Sequence, residues 1–152
     1  MAMPPEILLD AAGKPYLKDI PLHFSLSHSG RYAACAVSDR PIGLDIQIRT
    51  AWDPALTARF FTEDEQLFLR RSQESDRDFT ALWCRKEAFL KVTGLGLRLP
   101  LSSFSVAPAA ERAARHGKQY SFWQAELPGF FSALCCEGSC LAKVEITELS
   151  VC

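Results

Sequence analysis

Three runs early in the chain carry the hydrophobic signature of strands. In HFSLSHSG, Phe24, Leu26 and His28 alternate with Ser25, Ser27 and Ser29, a period of two. Ser29-Gly30 then supplies a turn, and RYAACAV (31–37) returns as a second strand. SDRP (38–41) turns again into a third, IGLDIQI (42–48). Residues 1–20, rich in Pro and Gly with a Gly13-Lys14-Pro15 turn, read as an extended arm.

After Asp53-Pro54, a cap followed by proline at the first helical position, the period becomes that of a helix. Thr62 and Glu65 stand at capping-box spacing ahead of Leu67, Phe68 and Leu69 and open a second helix. The polar stretch Ser72 to Asp78 predicts a break, and Phe79 to Val92 predicts a longer helix ending near Gly94. GLGLRLPL (94–101) predicts a loop and SSFSVAP (102–108) a strand. KQYSFWQAEL and FFSALCCEG predict two strands joined by Pro128-Gly129. Helices set among hairpins give an α+β fold, mainly antiparallel sheet packed by helices, in a single domain over 1–152.

Two of these elements carry charge where charge is costly. On the 79–92 helix, Phe79, Leu82, Trp83, Phe89 and Leu90 share one stripe, and Lys86 falls within it. Glu87 sits at the stripe's border, with Lys91 one turn further on. In one reading Glu87 and Lys91 are a solvated pair worth a few tenths of a kcal/mol (~0.2–0.5), and Lys86 snorkels out along the core edge. In the other, a charge held at a core boundary has a partner or a chemical task.

The strand 42–48 supports the second reading. Gly43, Asp45 and Gln47 share one face, and Leu44, Ile46 and Ile48 share the other. A helix packed on the first face would bring Asp45, Gln47 and Glu87 together. Two carboxylates and an amide oxygen are hard ligands suited to a magnesium ion that keeps waters and binds phosphate, with Lys91 offsetting phosphate charge. Ser27, His28 and the turn amides near Gly30 add donors for an anion, although His28 alone also fits a hydrogen-bonded turn histidine.

Composition narrows the picture by exclusion. The chain is 48% hydrophobic and 23% charged with a formal net charge of -1, so it is globular and has no global field favouring nucleic acid or anionic membrane. No apolar run approaches the roughly 20 residues that span a bilayer, and MAMPPEILLD lacks a secretory pattern. The six cysteines do not form a disulfide framework or a zinc-like set, so reduced thiols in a cytoplasmic protein are expected.

GKPYL (13–17), HFSLSHSG (23–30), PIGLDIQ (41–47), RFFTEDE (59–65) and WCRKEAFLKVTGLGLRLPLSSFSV (83–106), in that order, resemble the 4'-phosphopantetheinyl transferases of the larger, surfactin-synthetase-activating type. The resemblance implies transfer of the phosphopantetheine arm of coenzyme A onto a serine of an acyl or peptidyl carrier protein, with 3',5'-ADP leaving. By matching position, Asp45 and Glu87 are expected to ligate Mg2+, and Gln47 takes a third ligand position usually held by an acid. Glu87 and Lys91 are expected to be catalytic. Lys14, Ser27, His28, Lys86 and Lys91 are expected to contact coenzyme A.

Arg59, Arg70, Arg71, Arg77 and Arg85 are candidates for steering an acidic carrier, or else ordinary solvated helix charges. Transferases of this type have two similar halves, so residues 1–40 are expected to be the tail of the first and 41–152 a complete second. Self-association that covers the remaining surface is then expected. The alternative is a catalytically weak or inactive homologue that binds coenzyme A or carrier protein.

Overall fold

The computed structural model describes residues 3–107, 112–139 and 144–149. The predicted arm is in fact a hairpin. β1 (Ile7–Leu9) pairs antiparallel with β2 (Pro15–Leu17), and the turn between them uses Gly13 at φ +84°. A second hairpin joins β3 (His23–Ser29) to β4 (Tyr32–Ser38). β5 (Ile42–Gln47), β6 (Arg112–Arg115), β7 (Lys118–Leu127) and β8 (Phe130–Glu137) form an antiparallel sheet in the order β5-β8-β7-β6. Three helices lie between β5 and β6: α1 (Pro54–Phe60), α2 (Glu63–Arg71) and α3 (Ser75–Thr93).

The serines of β3 explain how the hairpin meets the sheet. Ser25, Ser27 and Ser29 accept hydrogen bonds from the backbone N–H groups of Leu44, Ile46 and Ile48 at 2.9, 3.0 and 2.9 Å. Side-chain hydroxyls thus satisfy the open edge of β5 in place of a neighbouring strand's carbonyls. Ser25 and Ser27 are buried in consequence, and Leu26 between them is 54% exposed. Polarity alone would have pointed the serines outward.

α3 lies across the other side of β5, and Gly43 sets how closely. A Cβ at Gly43 would lie 2.0 Å from the Ala88 carbonyl oxygen and 2.5 Å from the Val92 nitrogen. The helix backbone therefore sits directly on the strand. Core residues Ala88, Phe89, Ala133 and Cys135 fill the space between helix and sheet. Ile42, Leu44 and Ile46 pack beneath β4 on the opposite face.

Several predicted boundaries shift. Only Ser72–Glu74 break the helices, because Ser75–Asp78 form the first turn of α3, where Asp76 and Asp78 suit its dipole. Gly94 ends α3 in the left-handed conformation, φ +68°. Of the predicted strand at 102–108, residues 102–107 do not form one, and Leu101–Ser103 make a 3-10 turn instead; position 108 lies outside the described residues. The carbonyls of Leu101 and Phe104 and the N–H of Val106, which a strand would pair, are bound by Lys86 and Glu65. Among the cysteines, Cys35, Cys84 and Cys135 are free thiols. Cys136 is disulfide-bonded, which corrects the expectation of reduced thiols throughout; Cys140 and Cys152 lie outside the described residues.

Candidate functional site

Asp45 is 3% exposed, on the face of β5 that α3 covers. The Cys84 thiol of α3 donates to its backbone carbonyl at 3.1 Å, which ties the two elements together there. Its carboxylate has several donors. Oδ1 accepts from Ser27 Oγ at 3.0 Å and Lys91 Nζ at 2.9 Å, and Oδ2 accepts from Gln47 Nε2 at 2.8 Å. A buried carboxylate stays ionised only with such partners.

Lys91 also donates to the Leu26 carbonyl at 3.2 Å, so it links α3 to β3. Lys14, from the first hairpin, donates to the carbonyls of Lys91 at 2.7 Å and Ile42 at 3.3 Å, and burial pulls its pKa down. Glu87 lies one turn before Lys91 and is half-buried. Burial raises its carboxyl above the usual range, the Asp45 charge raises it further, and Lys91 opposes both. Glu87, Lys91 and Lys14 line a cavity of about 430 Å³ together with Phe24, Ser25 and Leu26.

The structure therefore gathers Asp45, Gln47, Glu87, Lys91, Lys14 and Ser27. Three expected coenzyme A contacts are placed differently. Lys86 is fully buried, and its three N–H groups are given to Glu65 at 2.8 Å, Leu101 O at 2.7 Å and Phe104 O at 2.8 Å. It has no donor left for a phosphate, so it leaves the coenzyme A-binding set. Ser27 spends its single O–H on Asp45 and receives the Ile46 N–H, which makes it a support for the carboxylate. His28 is exposed on the face of β3 opposite Ser27 and is not part of the cavity wall.

Sequence reasoning missed Glu65 as a partner for Lys86 and saw only its capping role. A capping-box acid followed by a lysine inside an apolar stripe was the available signal. Ser25 and Gly43 were missed as well; a glycine inside a strand pattern marks close backbone approach.

Among the described residues, no three His, Cys, Asp or Glu side chains converge as a metal cluster. The available hard oxygen donors are the Glu87 carboxylate, which lines the cavity, the Asp45 carboxylate behind it, which Lys91 joins to the cavity wall, and the Gln47 amide held on Asp45. They fit a divalent cation that retains water and takes substrate oxygens as its remaining ligands. The basic candidates also divide. Arg85 is buried over Phe122, with its guanidinium carbon 4.6 Å from the ring centroid, and is withdrawn as a steering residue. Arg77 is paired with Glu74, Asp78 and Glu126, whereas Arg59, Arg70 and Arg71 are exposed.

Comparison with known proteins bears on the same stretch. The 4'-phosphopantetheinyl transferase Sfp of Bacillus subtilis (strain 168) is 44% identical over 97 residues, 62% of this chain and 43% of that protein. The Bacillus pumilus 4'-phosphopantetheinyl transferase psf-1 is 41% identical over 110 residues, covering 68% and 47%. The 4'-phosphopantetheinyl transferase gsp of Aneurinibacillus migulanus is 29% identical over 146 residues, covering 91% and 61%. The chain spans about half the length of the curated relatives it matches.

Holo-acyl-carrier-protein synthase of Thermotoga maritima shares the fold, with a TM-score of 0.50, 16% identity, and coverage of 64% of this chain and 62% of that one. The family profile described as 4'-phosphopantetheinyl transferase superfamily matches residues 41–135, which include Asp45, Glu87 and Lys91. That match extends over more than half of the sequence, and the chain belongs to the 4'-phosphopantetheinyl transferase superfamily.

Proposed function

We propose that the chain transfers the 4'-phosphopantetheine arm of coenzyme A to a serine hydroxyl of an acyl or peptidyl carrier protein, in a Mg2+-dependent reaction. The observation that carries this reading is that Glu87, Lys91 and Lys14 line one cavity and Lys91 ties it to the buried Asp45 carboxylate, within or beside the family-matched stretch. Asp45, Glu87 and the Gln47 oxygen would hold Mg2+, whose chemical contribution is to neutralise and orient the pyrophosphate oxygens.

Positioning and charge neutralisation do most of the work in phosphoryl transfer. The carrier serine oxygen attacks the phosphorus that bears the pantetheine arm. The bond from that phosphorus to the bridging oxygen breaks, and 3',5'-ADP departs with the electron pair. Glu87, on the cavity wall, takes the serine proton. Lys91 and Lys14 face the phosphates from the cavity wall, with Lys91 stabilising charge on the leaving oxygen. His28 remains only as a contact for a coenzyme A phosphate outside the cavity.

Exposed Arg59, Arg70 and Arg71 offer an acidic carrier a basic surface. Exposed Leu9, Leu26 and Val37 on the hairpins offer an apolar surface to a second copy of the chain, the basis on which self-association is proposed.

The test is the intact mass of an apo carrier incubated with the chain, coenzyme A and Mg2+. The carrier should gain one phosphopantetheine arm, and the gain should vanish without Mg2+ or with Asp45→Asn or Glu87→Gln. A second reading, binding without transfer, is favoured by one feature: Gln47 donates an N–H to Asp45 where a third carboxylate would sit. An unchanged carrier mass alongside calorimetric coenzyme A binding would select that reading.

A further inference from the structure

Asp45 is already served by the protein's own donors, and one of them carries a full positive charge. Lys91 Nζ lies 2.9 Å from Oδ1, the oxygen that also accepts from Ser27. A magnesium ion binds carboxylate oxygen at about 2.0–2.1 Å in near-octahedral geometry. An ammonium on the same oxygen would then stand within a few ångströms of a doubly charged ion, in a site only 3% exposed at Asp45. The two cations repel each other at that distance and so compete for the carboxylate.

Lys91 is built to leave. Its side chain is 31% exposed, it reaches the cavity, and the other hydrogen bond its ammonium makes among the described residues is a longer one, to the Leu26 carbonyl at 3.2 Å. On leaving it keeps the Glu87 carboxylate one turn away, itself an expected metal ligand, and a pyrophosphate in the cavity would supply the further anion that draws it off Asp45. Gln47 has a matching requirement. Its Nε2 donates to Asp45 Oδ2 at 2.8 Å, so its amide must turn before its oxygen can face a cation.

We propose that Lys91 is the exchangeable counter-ion of Asp45: it competes with the metal for that carboxylate and yields when a phosphate ligand draws it away, so that metal enters together with coenzyme A. The inference rests on the metal-dependent reading above. It adds that Lys91 weakens metal binding when no phosphate is bound, while it favours phosphate binding. A residue acting only on the substrate phosphate would have no such effect on metal alone.

The experiment titrates the full chain with Mn2+ alone and with Mg2+ alone by calorimetry, each with and without saturating coenzyme A. Folding of every variant is checked by circular dichroism. Lys91→Met should bind metal alone more tightly than the parent, by a factor within the 5- to 150-fold range usual for coupled sites. Coenzyme A should strengthen metal binding by a smaller factor in the variant than in the parent.

Lys14→Met is the control, since Lys14 faces the same cavity without touching Asp45, and its gain should be much smaller. Metal affinity in Lys91→Met no tighter than in the parent, or matched by Lys14→Met, would overturn the proposal. Metal binding that survives Asp45→Asn in every background would instead overturn the ligand assignment beneath it. If Lys91→Met does not fold, Lys91→Gln, which removes the charge and keeps a donor, carries the same comparison.

Discussion

Helix α3 carries two lysine–carboxylate pairs that differ in almost everything except chemistry. Lys86 and Glu65 are both 0% exposed and every strong donor is spent. Lys86 gives its N–H groups to Glu65 and two carbonyls, and Glu65 accepts from Lys86, Thr62 N and Val106 N. Phe104 and Phe61 lie over the ammonium at 4.5 and 5.4 Å. Lys91, five residues along, lines a cavity beside a second acid and reaches back to the buried Asp45, with the lysine 31% exposed. A closed, saturated pair fixes structure. An open pair with a neighbouring carboxylate can exchange partners, which is what a binding site requires.

Breaking each pair gives the sharpest contrast. Lys86→Met leaves Glu65 charged and buried and releases the Leu101 and Phe104 carbonyls, and it should cost about 3–5 kcal/mol. Lys91→Met leaves the buried Asp45 carboxylate with Ser27 and Gln47 as donors and removes a lysine that is itself 31% exposed, so it should cost clearly less than Lys86→Met. The double replacement Glu65→Leu with Lys86→Met should recover part of the first loss. Urea unfolding measures all three, and similar costs for the two lysines would erase the distinction between the pairs.

Gly43→Ala tests the open pair from below. Its Cβ would meet the Ala88 oxygen at 2.0 Å and the Val92 nitrogen at 2.5 Å, both backbone atoms, so α3 must lift off β5. Overpacking of this kind costs about 1–3 kcal/mol. It should move Lys91 and Glu87 away from Asp45 and leave the Glu65–Lys86 pair intact. Calorimetry should show a larger loss of coenzyme A binding than the loss of stability would suggest. Undiminished affinity would show that the site does not depend on that contact.

The two regions also differed in how far their sequence could be read. The Asp45–Glu87–Lys91 arrangement was legible because two periodicities, of two in the strand and of 3.6 in the helix, each place a charge on a defined face. The α+β class and the capping box at Thr62 were legible for similarly local reasons. The Glu65–Lys86 pair was not, because the capping box already accounts for Glu65 locally and the pair needs the 101–106 segment to complete it. That same pair removed the predicted strand by taking the backbone groups a strand would pair. Ser27 was misplaced for a related reason. Nothing in an alternating pattern shows that its hydroxyl replaces a missing strand on one side and braces Asp45 on the other. Ser27→Ala should therefore cost about 1–3 kcal/mol through an orphaned Ile46 N–H, and Ser27→Thr should restore part of it. No loss in the alanine variant would mean that another acceptor takes that N–H.

The smallest effect concerns pH, where carboxylates near the two pairs run in opposite directions. Asp64, beside Glu65, is held below its usual range by hydrogen bonds from Ser105 and Thr62. Its contribution to stability is present above the ordinary carboxylate range and is lost as pH falls through the depressed native value. Glu87 is raised, so the native state holds its proton more tightly than the unfolded chain does. Stability from Glu87 therefore falls as pH rises from the ordinary carboxylate range through the raised native value. Glu87→Gln removes that penalty. The variant should be modestly more stable than the parent at pH 7, with the difference shrinking toward zero below the ordinary range, and under the proposed function it should lose arm transfer. Thermal unfolding of both proteins across pH 3–8 provides the comparison, and a variant less stable than the parent at pH 7 would show that Glu87 is held by favourable contacts and carries no strain for function.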